Sequence, residues 1–403
     1  MARILLRISL ALAAVLLVLA AAEIGLRLDA WRRLNRVFRP DYRAASESLY
    51  EYDPDIGYRC RPGATAVFVR VVNGKVVHFH AVAADRHGSI GASGRSYGEA
   101  ALRIVVVGDS FTANPDTGFC WPDHLERLLE RKLDRTVSVL NLACDGYGIL
   151  QMVGAAARAA ETLAPHVVLV AFITDDLTRG RTWRLTVAGK GVTRVLVAAQ
   201  PDAAGGRKGS MDALVINPGI SETWAERARH QSAASNPLQS ELNAQFQRLY
   251  RENLDASVLF RADASFVFSR LARREPFYAI FRRAGFPELP FDRYEADPRF
   301  RADQERLRSA GIAIHLLHLP TRPYLRRGIY FLSSQQRRLY ESLQDALGVP
   351  CTPVLAHGHF PSGSLETLFV STRDAHPSEA GARALAEAVC SALEAASGWE
   401  QSE

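Results

Sequence analysis

Two tripeptides in this sequence contain the residue types that nucleophilic catalysis requires. Gly-Asp-Ser ends at Ser110, and Asp-Ala-His ends at His376 near the C-terminus. A serine hydroxyl becomes a good nucleophile when a histidine removes its proton and a carboxylate fixes the histidine tautomer. We therefore predict that Ser110 is a nucleophile, that His376 is its base and that Asp374 orients this base. The first tripeptide alone is equally well explained as the N-cap of a helix.

The segments around Ser110 alternate between strand and helix patterns. Residues 104–107 are a run of β-branched residues, which predicts a strand buried on both faces in a parallel sheet. Further strands are predicted at 137–142, 167–173 and 312–319, and helices at 121–133, 150–163, 302–310, 335–347 and 378–393. This alternation predicts an α/β fold with a doubly wound, flavodoxin-like parallel sheet and helices on both faces. Ligands bind at the carboxyl ends of strands in such sheets, and Ser110 follows one of these ends.

The N-terminal segment has the pattern of an export signal. Arg3 and Arg7 precede an apolar stretch at 8–22. A basic segment followed by an apolar one is typical of a signal anchor or a signal peptide, and the alanines at 20–22 offer small residues for cleavage. We predict either a retained anchor in the inner membrane, with the rest of the chain in the periplasm, or secretion after cleavage. A buried core helix is the third alternative.

The chain divides into three predicted regions. Residues 1–28 form the signal anchor or signal peptide, 29–101 form a connector with a small β-element, and 102–397 form the α/β domain. Asn73-Gly74 predicts a hairpin turn within the connector. The α/β pattern is interrupted by a predicted insertion at about 178–299. Aromatic and arginine residues are interleaved within this insertion, which fits either a surface for sugars, anionic polymers or membranes, or a solvated helical cap.

Composition and charge limit the partners and cofactors. The net charge is +6, but the arginines are scattered and no nucleic-acid motif is present, so we predict no nucleic-acid partner. The five cysteines include no CxxC pair, and His357 and His359 lack a further ligand at a supporting spacing, so we predict no metal and no cofactor. In an exported chain one disulfide could form, with Cys120 and Cys144 as the pair to test, but buried free thiols are the interpretation that we favour.

Four sequence blocks occur in the order found in one enzyme superfamily. The blocks are 108–112, 141–148, 168–176 and 374–381. In this order they resemble the SGNH (GDSL) hydrolase superfamily, particularly its membrane-anchored bacterial members associated with cell-surface polysaccharides. The resemblance extends over about 103–180 and 300–395, so it covers the predicted α/β domain outside the insertion.

The resemblance implies the chemistry of ester cleavage. Ser110 would attack an acyl carbonyl, His376 would act as general base and then as general acid, and Asp374 would orient His376. The backbone N–H groups of Ser110 and Gly146, with a side chain from the third block, would bind the oxyanion. The implied substrates are O-acyl esters of carbohydrates, most often O-acetyl esters.

Two positions depart from the pattern of the superfamily. The third block usually has asparagine where this chain has Asp175, and an ionised carboxylate cannot donate a hydrogen bond to an oxyanion. Either Asp175 is protonated, or backbone donors alone bind the oxyanion, or the protein is a weak or altered enzyme. In addition, one residue separates Asp374 from His376, whereas two are commoner in the superfamily.

These observations predict a serine-dependent ester hydrolase or O-acyl transferase that acts on carbohydrate or cell-surface glycan esters outside the cytoplasm. Two alternatives stay open at this point. The same fold could carry a lipase or thioesterase, with an apolar trough formed by residues 260–281. Asp175 and the basic insertion would also suit a catalytically weak protein of polysaccharide assembly.

Overall fold

The computed structural model describes most of the chain outside the predicted insertion. The described residues are 2–36, 42–47, 49–53, 55–72, 75–91, 97–114, 117–174, 176–179, 182–189, 191–198, 214–216, 223, 298–322, 325, 335–360, 365–370 and 375–396. Four of the sequence predictions lie outside the described residues: the turn at Asn73-Gly74, Asp175, Asp374 and the apolar trough at 260–281.

The elements follow one another in chain order. The strands are β1 (Tyr42–Ala45), β2 (Tyr50–Asp53), β3 (Gly57–Cys60), β4 (Thr65–Val72), β5 (Lys75–Ala83), β6 (Leu102–Gly108), β7 (Val137–Asn141), β8 (Val167–Phe172), β9 (Thr182–Gly189), β10 (Gly191–Ala198), β11 (Leu214–Ile216), β12 (Ala313–His318) and β13 (Cys351–Pro353). The helices are α1 (Ala2–Arg36), α2 (Ser110–Ala113), α3 (Trp121–Leu133), α4 (Ile149–Leu163), α5 (Asp176–Arg179), α6 (Pro298–Ser309), α7 (Gln335–Leu347), α8 (Leu365–Leu368) and α9 (Glu379–Ala395).

A five-stranded parallel sheet forms the centre of the α/β region, with the strand order β13-β12-β8-β6-β7. All residues of β6 except Arg103 are buried, as expected for a β-branched strand in the middle of a sheet. One face of the sheet packs against α4, α6 and α7, and the other packs against α3 and α9. This arrangement confirms the predicted α/β fold with helices on both faces of a parallel sheet.

The order of the strands determines where a site can form. If the five strands of this sheet are renumbered 1 to 5 in chain order (β6, β7, β8, β12, β13), their order across the sheet is 2-1-3-4-5. In this order β7 lies on one side of β6 and β8 lies on the other. The connections that leave β6 and β7 therefore run in opposite directions, which opens a crevice at the carboxyl end of β6. Ser110 lies two residues beyond that end.

The predicted connector contributes strands of its own. A mixed sheet has the order β11-β1-β4-β5, in which β4 pairs antiparallel with β5. A separate antiparallel hairpin is formed by β2 and β3. We call this element, residues 50–60, the β2–β3 hairpin.

The predicted insertion begins with a hairpin that the sequence analysis did not identify. Strands β9 and β10 pair antiparallel, from Gly189 with Gly191 to Thr182 with Ala198. Alternating β-branched residues on both sides of closely spaced glycines are typical of such hairpins, so the pattern was present in the sequence.

Helix α1 contains the apolar N-terminal segment. Its Leu6–Gly25 window has a mean hydropathy of 2.4, and none of this window is buried against the rest of the chain. By length and composition the helix is suited to be a membrane anchor or a signal sequence. The exposure of these apolar residues contradicts the alternative of a buried core helix.

Candidate active site

Ser110 lies in a sharp turn between β6 and α2. Gly108 ends the strand, and a Cβ atom there would lie 2.6 Å from Thr112 Oγ1 and 2.8 Å from the backbone oxygen of Ala171, so only glycine fits. Asp109 is the N-cap of α2, because its carboxylate accepts from the Phe111 N–H over 2.9 Å. The capping and nucleophile interpretations are therefore compatible: Asp109 caps the helix, and the hydroxyl of Ser110 is left for other contacts.

His376 lies next to Ser110. Its Nε2 is 2.8 Å from Ser110 Oγ, although 266 positions separate the two residues in the chain. This distance is within hydrogen-bond reach, and a general base requires such a contact with the group that it deprotonates. The structure thus brings together two of the three residues that the sequence predicted to be catalytic. The third, Asp374, lies outside the described residues.

Several contacts hold the segment that carries His376. The backbone oxygen of His376 accepts from the Val370 N–H over 3.0 Å, and the next carbonyl, that of Pro377, accepts from Asn114 Nδ2 over 3.0 Å. The ring of Phe111 packs 5.1 Å from the imidazole, measured between ring centroids. Both the backbone and the ring of His376 are therefore fixed relative to the turn that carries Ser110.

Asn114 is a supporting residue that the sequence analysis missed. It is fully buried at the C-cap of α2 with a φ of 38°, and its Nδ2 also donates to the Phe119 carbonyl over 3.1 Å. Asparagine tolerates this left-handed conformation better than most residues do. An asparagine four residues after a candidate nucleophile was visible in the sequence, but its partner at 377 was not, because that contact spans 263 positions.

Gly146 belongs to a loop after β7, residues 142–148, which we call the Gly146 loop. Gly146 has a φ of 80°, a conformation that glycine adopts without strain. The Cys144 N–H donates to the Gly108 carbonyl over 3.1 Å, and the Asn141 side chain donates to the Thr112 carbonyl over 3.1 Å. These bonds tie the predicted oxyanion-binding loop to the turn that carries Ser110.

The loop after β8 holds a buried polar cluster. Asp176 is fully buried and accepts from the Ile173 N–H over 2.8 Å. Thr174 Oγ1 lies 3.0 Å from Nε2 of His318, at the end of the neighbouring strand β12. Burial lowers the pKa of His318 to about 3, so its imidazole is neutral at physiological pH. His318 was not predicted as a site residue; in the structure its contact with Thr174 supports the loop after β8.

The β2–β3 hairpin packs against the Gly146 loop. Tyr58 donates its hydroxyl to the Asp145 carbonyl over 2.7 Å, and the Tyr147 hydroxyl donates to the Tyr58 carbonyl over 2.5 Å. The Asp145 N–H also donates to the Tyr50 hydroxyl over 3.4 Å. The sequence analysis assigned this hairpin only to a connector, whereas the structure shows that it holds the backbone on either side of Gly146.

The arrangement of the cysteines corrects the proposed Cys120–Cys144 pair. The thiol of Cys120 donates to the Ala113 carbonyl over 3.2 Å, whereas Cys144 lies beside Cys60 with 3.2 Å between the two sulfur atoms. All five cysteines are buried free thiols in the structure. Cys60 reaches Cys144 because the β2–β3 hairpin packs against the Gly146 loop.

Comparisons with known proteins matched one family model and several solved structures. The model of the GDSL-like lipase/acylhydrolase family matches residues 106–384, which is more than half of the chain. Among solved structures, TesA is 14% identical with a TM-score of 0.33, and the match covers 72% of this chain and 98% of TesA. The lipase Lip_vut3 from a goat rumen metagenome is 14% identical with a TM-score of 0.30, and the match covers 73% of this chain and 97% of the lipase. A GDSL-like lipase from Bacteroides thetaiotaomicron is 11% identical with a TM-score of 0.30, and the match covers 73% and 88%. A comparison with curated protein sequences gave no match.

Proposed function

Because the chain belongs to the GDSL-like lipase/acylhydrolase family, a family of ester hydrolases, we propose that it cleaves esters with Ser110 as nucleophile and His376 as base. The observation that carries this assignment of roles is the 2.8 Å contact between Ser110 Oγ and His376 Nε2. A histidine nitrogen at this distance can accept the serine proton as the oxygen attacks a carbonyl carbon.

The proposed reaction has two steps. Ser110 Oγ attacks the carbonyl carbon while His376 Nε2 takes its proton, and His376 then returns this proton to the leaving alcohol. The acyl group stays on Ser110 until water, deprotonated by His376, attacks its carbonyl carbon; the bond to Ser110 Oγ then breaks, His376 returns the proton to Ser110, and the acid is released. If a sugar hydroxyl replaces water in the second step, the same intermediate leads to acyl transfer instead of hydrolysis.

The negative charge of the tetrahedral intermediate requires hydrogen-bond donors. We assign this role to the backbone N–H groups of Ser110 and Gly146. The bond from the Cys144 N–H to the Gly108 carbonyl supports this assignment, since it links the two segments. Asp175 would add a third donor only when it is protonated, and Asp374 would orient His376 by accepting a hydrogen bond from Nδ1–H.

We further propose that the substrates are O-acyl esters of carbohydrates or cell-surface glycans, and that α1 anchors the chain in the inner membrane with the α/β domain in the periplasm. The apolar surface of α1 supports the anchor, and the four ordered sequence blocks support the substrate class. The family description includes lipases, which keeps a lipase or thioesterase of the same fold as the second candidate.

The first test measures hydrolysis of p-nitrophenyl acetate by the full chain in detergent. Ser110→Ala is expected to lower kcat by roughly 10⁴-fold or more, because only binding and oxyanion donors are left. The matched control is Ser138→Ala, which removes a buried hydroxyl in β7 that has no hydrogen-bond partner among the described residues. Equal rates for Ser110→Ala and the unmodified chain would contradict the proposal.

The second test separates the substrate classes. The rates are compared along a series of p-nitrophenyl esters from acetyl to octanoyl, and acetate release is measured from an O-acetylated polysaccharide. A preference for acetyl esters together with acetate release supports the glycan esterase. Rates that rise with acyl length, without acetate release, favour the lipase or thioesterase.

Protease digestion of intact spheroplasts tests the periplasmic location, since only an exported α/β domain would be cut.

A further inference from the structure

Cys60 and Cys144 are in closer contact than two unbonded sulfur atoms normally are. Their Sγ atoms lie 3.2 Å apart, and both residues are buried. Cys60 ends β3, whereas Cys144 lies in the Gly146 loop, 84 positions later in the chain. Within the described part of the chain, no other pair of cysteine sulfurs is in such contact.

We propose that Cys60 and Cys144 close into a disulfide that locks the β2–β3 hairpin to the Gly146 loop. The sulfur atoms must approach by about 1.2 Å, from 3.2 Å to the bonded distance of about 2.0 Å. Small rotations about χ1 of two adjacent side chains can supply this movement. Hydrogen bonds from the Tyr58 hydroxyl to the Asp145 carbonyl and from the Tyr147 hydroxyl to the Tyr58 carbonyl already hold the two backbones together near the sulfur pair.

The oxidation is a thiol–disulfide exchange with a disulfide oxidant, such as glutathione disulfide or a protein disulfide. The thiolate of one cysteine attacks the oxidant, forms a mixed disulfide and displaces one thiol. The thiolate of the second cysteine then attacks the mixed disulfide and displaces the other thiol. Two cysteine thiols and one oxidant disulfide thus become one Cys60–Cys144 disulfide and two reduced thiols.

The surroundings of the pair determine when this exchange occurs. The hydrogen bond with Cys144 and burial both raise the pKa of the Cys60 thiol, so the reactive thiolate is scarce in the folded chain. The exchange therefore occurs while the chain folds, and the buried bond then resists external reductants. For this reason the experiment must set the redox conditions before the chain folds.

The full chain is synthesised cell-free into detergent micelles, either with a glutathione/glutathione disulfide buffer or with dithiothreitol. Both samples are unfolded in the presence of N-ethylmaleimide and mapped by peptide mass spectrometry. We expect the oxidised sample to contain a peptide that links Cys60 to Cys144, lighter by about 2 Da than its two thiol components. Three cysteines should be labelled in that sample, whereas all five cysteines should be labelled in the reduced one.

Thermal unfolding provides a second measurement. The oxidised chain is expected to melt about 5 °C or more above the reduced chain, because the bond closes a long loop in the unfolded state. Cys60→Ser and Cys144→Ser should each abolish this difference and the linked peptide. The mapping of the unmodified chain does not depend on whether these variants fold.

Two results would overturn the proposal: five labelled cysteines in the oxidised sample, or a disulfide that joins Cys144 to Cys120 or to any other partner. The mapping needs no substrate, so its outcome is independent of whether the chain cleaves esters.

Discussion

Asn114 provides a test of how the chain positions His376. Its buried side chain joins the turn after Ser110 to the segment after His376, through hydrogen bonds of 3.0 Å to the Pro377 carbonyl and 3.1 Å to the Phe119 carbonyl. Asn114→Ala removes the donor for both carbonyls. A buried group that loses its partner costs about 1–3 kcal/mol, and the bond to the Phe119 carbonyl is only partly buried and adds about 1 kcal/mol, so we expect the free energy of unfolding to fall by about 2–4 kcal/mol.

The backbone at Asn114 adds a smaller effect that a second variant separates. The φ of 38° lies in the left-handed region, where alanine costs roughly 1 kcal/mol and glycine costs little. Asn114→Gly therefore loses mainly the hydrogen bonds, whereas Asn114→Ala loses the bonds and adds strain. The difference between the two free energies of unfolding, measured with urea, gives the strain of alanine minus the extra backbone entropy that glycine has in the unfolded chain.

The activity of these variants distinguishes positioning from stability. Without the bond to the Pro377 carbonyl, His376 is held less firmly against Ser110, so we expect kcat for p-nitrophenyl acetate to fall about 10- to 100-fold in both variants. KM should change little, because Asn114 is buried and is not proposed to contact the substrate. A kcat within about twofold of the parent value, measured well below the melting temperature, would refute the argument and leave Asn114 with a role in folding only.

Two further predictions concern the neighbours of the site. Tyr58→Phe removes the hydrogen bond to the Asp145 carbonyl and should lower the free energy of unfolding by about 1 kcal/mol. It should also lower kcat by roughly threefold or more, because the backbone beside Gly146 is then held less firmly. Tyr97→Phe is its matched control, because the buried Tyr97 hydroxyl has no hydrogen-bond partner among the described residues; an equal loss of activity in both variants would contradict the role of Tyr58. His318 has a folded-state pKa of about 3, well below its unfolded value near 6.5. Protonation therefore favours the unfolded chain, so the free energy of unfolding falls as the pH drops below about 6.5. The loss is up to about 1.4 kcal/mol per pH unit. His318→Gln should therefore show a smaller loss of stability than the parent between about pH 6.5 and pH 4 in urea unfolding, and parallel profiles for the two proteins would exclude His318 as the titrating group.

The part of the site that follows strand ends was predictable from the sequence. The β-branched run before Ser110 determines a central strand, and the alternation of strands and helices determines a parallel sheet. In such a sheet the carboxyl end of the first strand lies at the crevice where ligands bind, so the location of Ser110 could be predicted from local patterns. The contact with His376 also required the order of the sequence blocks, because no local pattern links positions 266 residues apart.

The supports of the site were not predictable in the same way. Asn114 reaches Pro377, Tyr58 reaches Asp145, and Cys60 reaches Cys144 across 263, 87 and 84 positions of the chain. Each of these residues has an ordinary local explanation, as a helix cap, a strand aromatic or a buried thiol. Hydrophobic periodicity records which side of an element is buried, but it does not record which distant polar atom the element meets.

The turn at Asp109 shows how one short segment serves both the fold and the proposed chemistry. The first N–H groups of a helix have no acceptor within the helix, so they must find one elsewhere. The Asp109 carboxylate accepts from the Phe111 N–H, and the Asp109 carbonyl accepts from the Thr112 and Ala113 N–H groups over 3.0 and 2.9 Å. Within the described residues, this leaves the Ser110 N–H as the donor of the turn without an acceptor. A carboxylate at 109 thus caps the helix without occupying the Ser110 hydroxyl, which contacts His376 and which we propose to attack the ester, or the backbone donor that we propose to bind the resulting oxyanion.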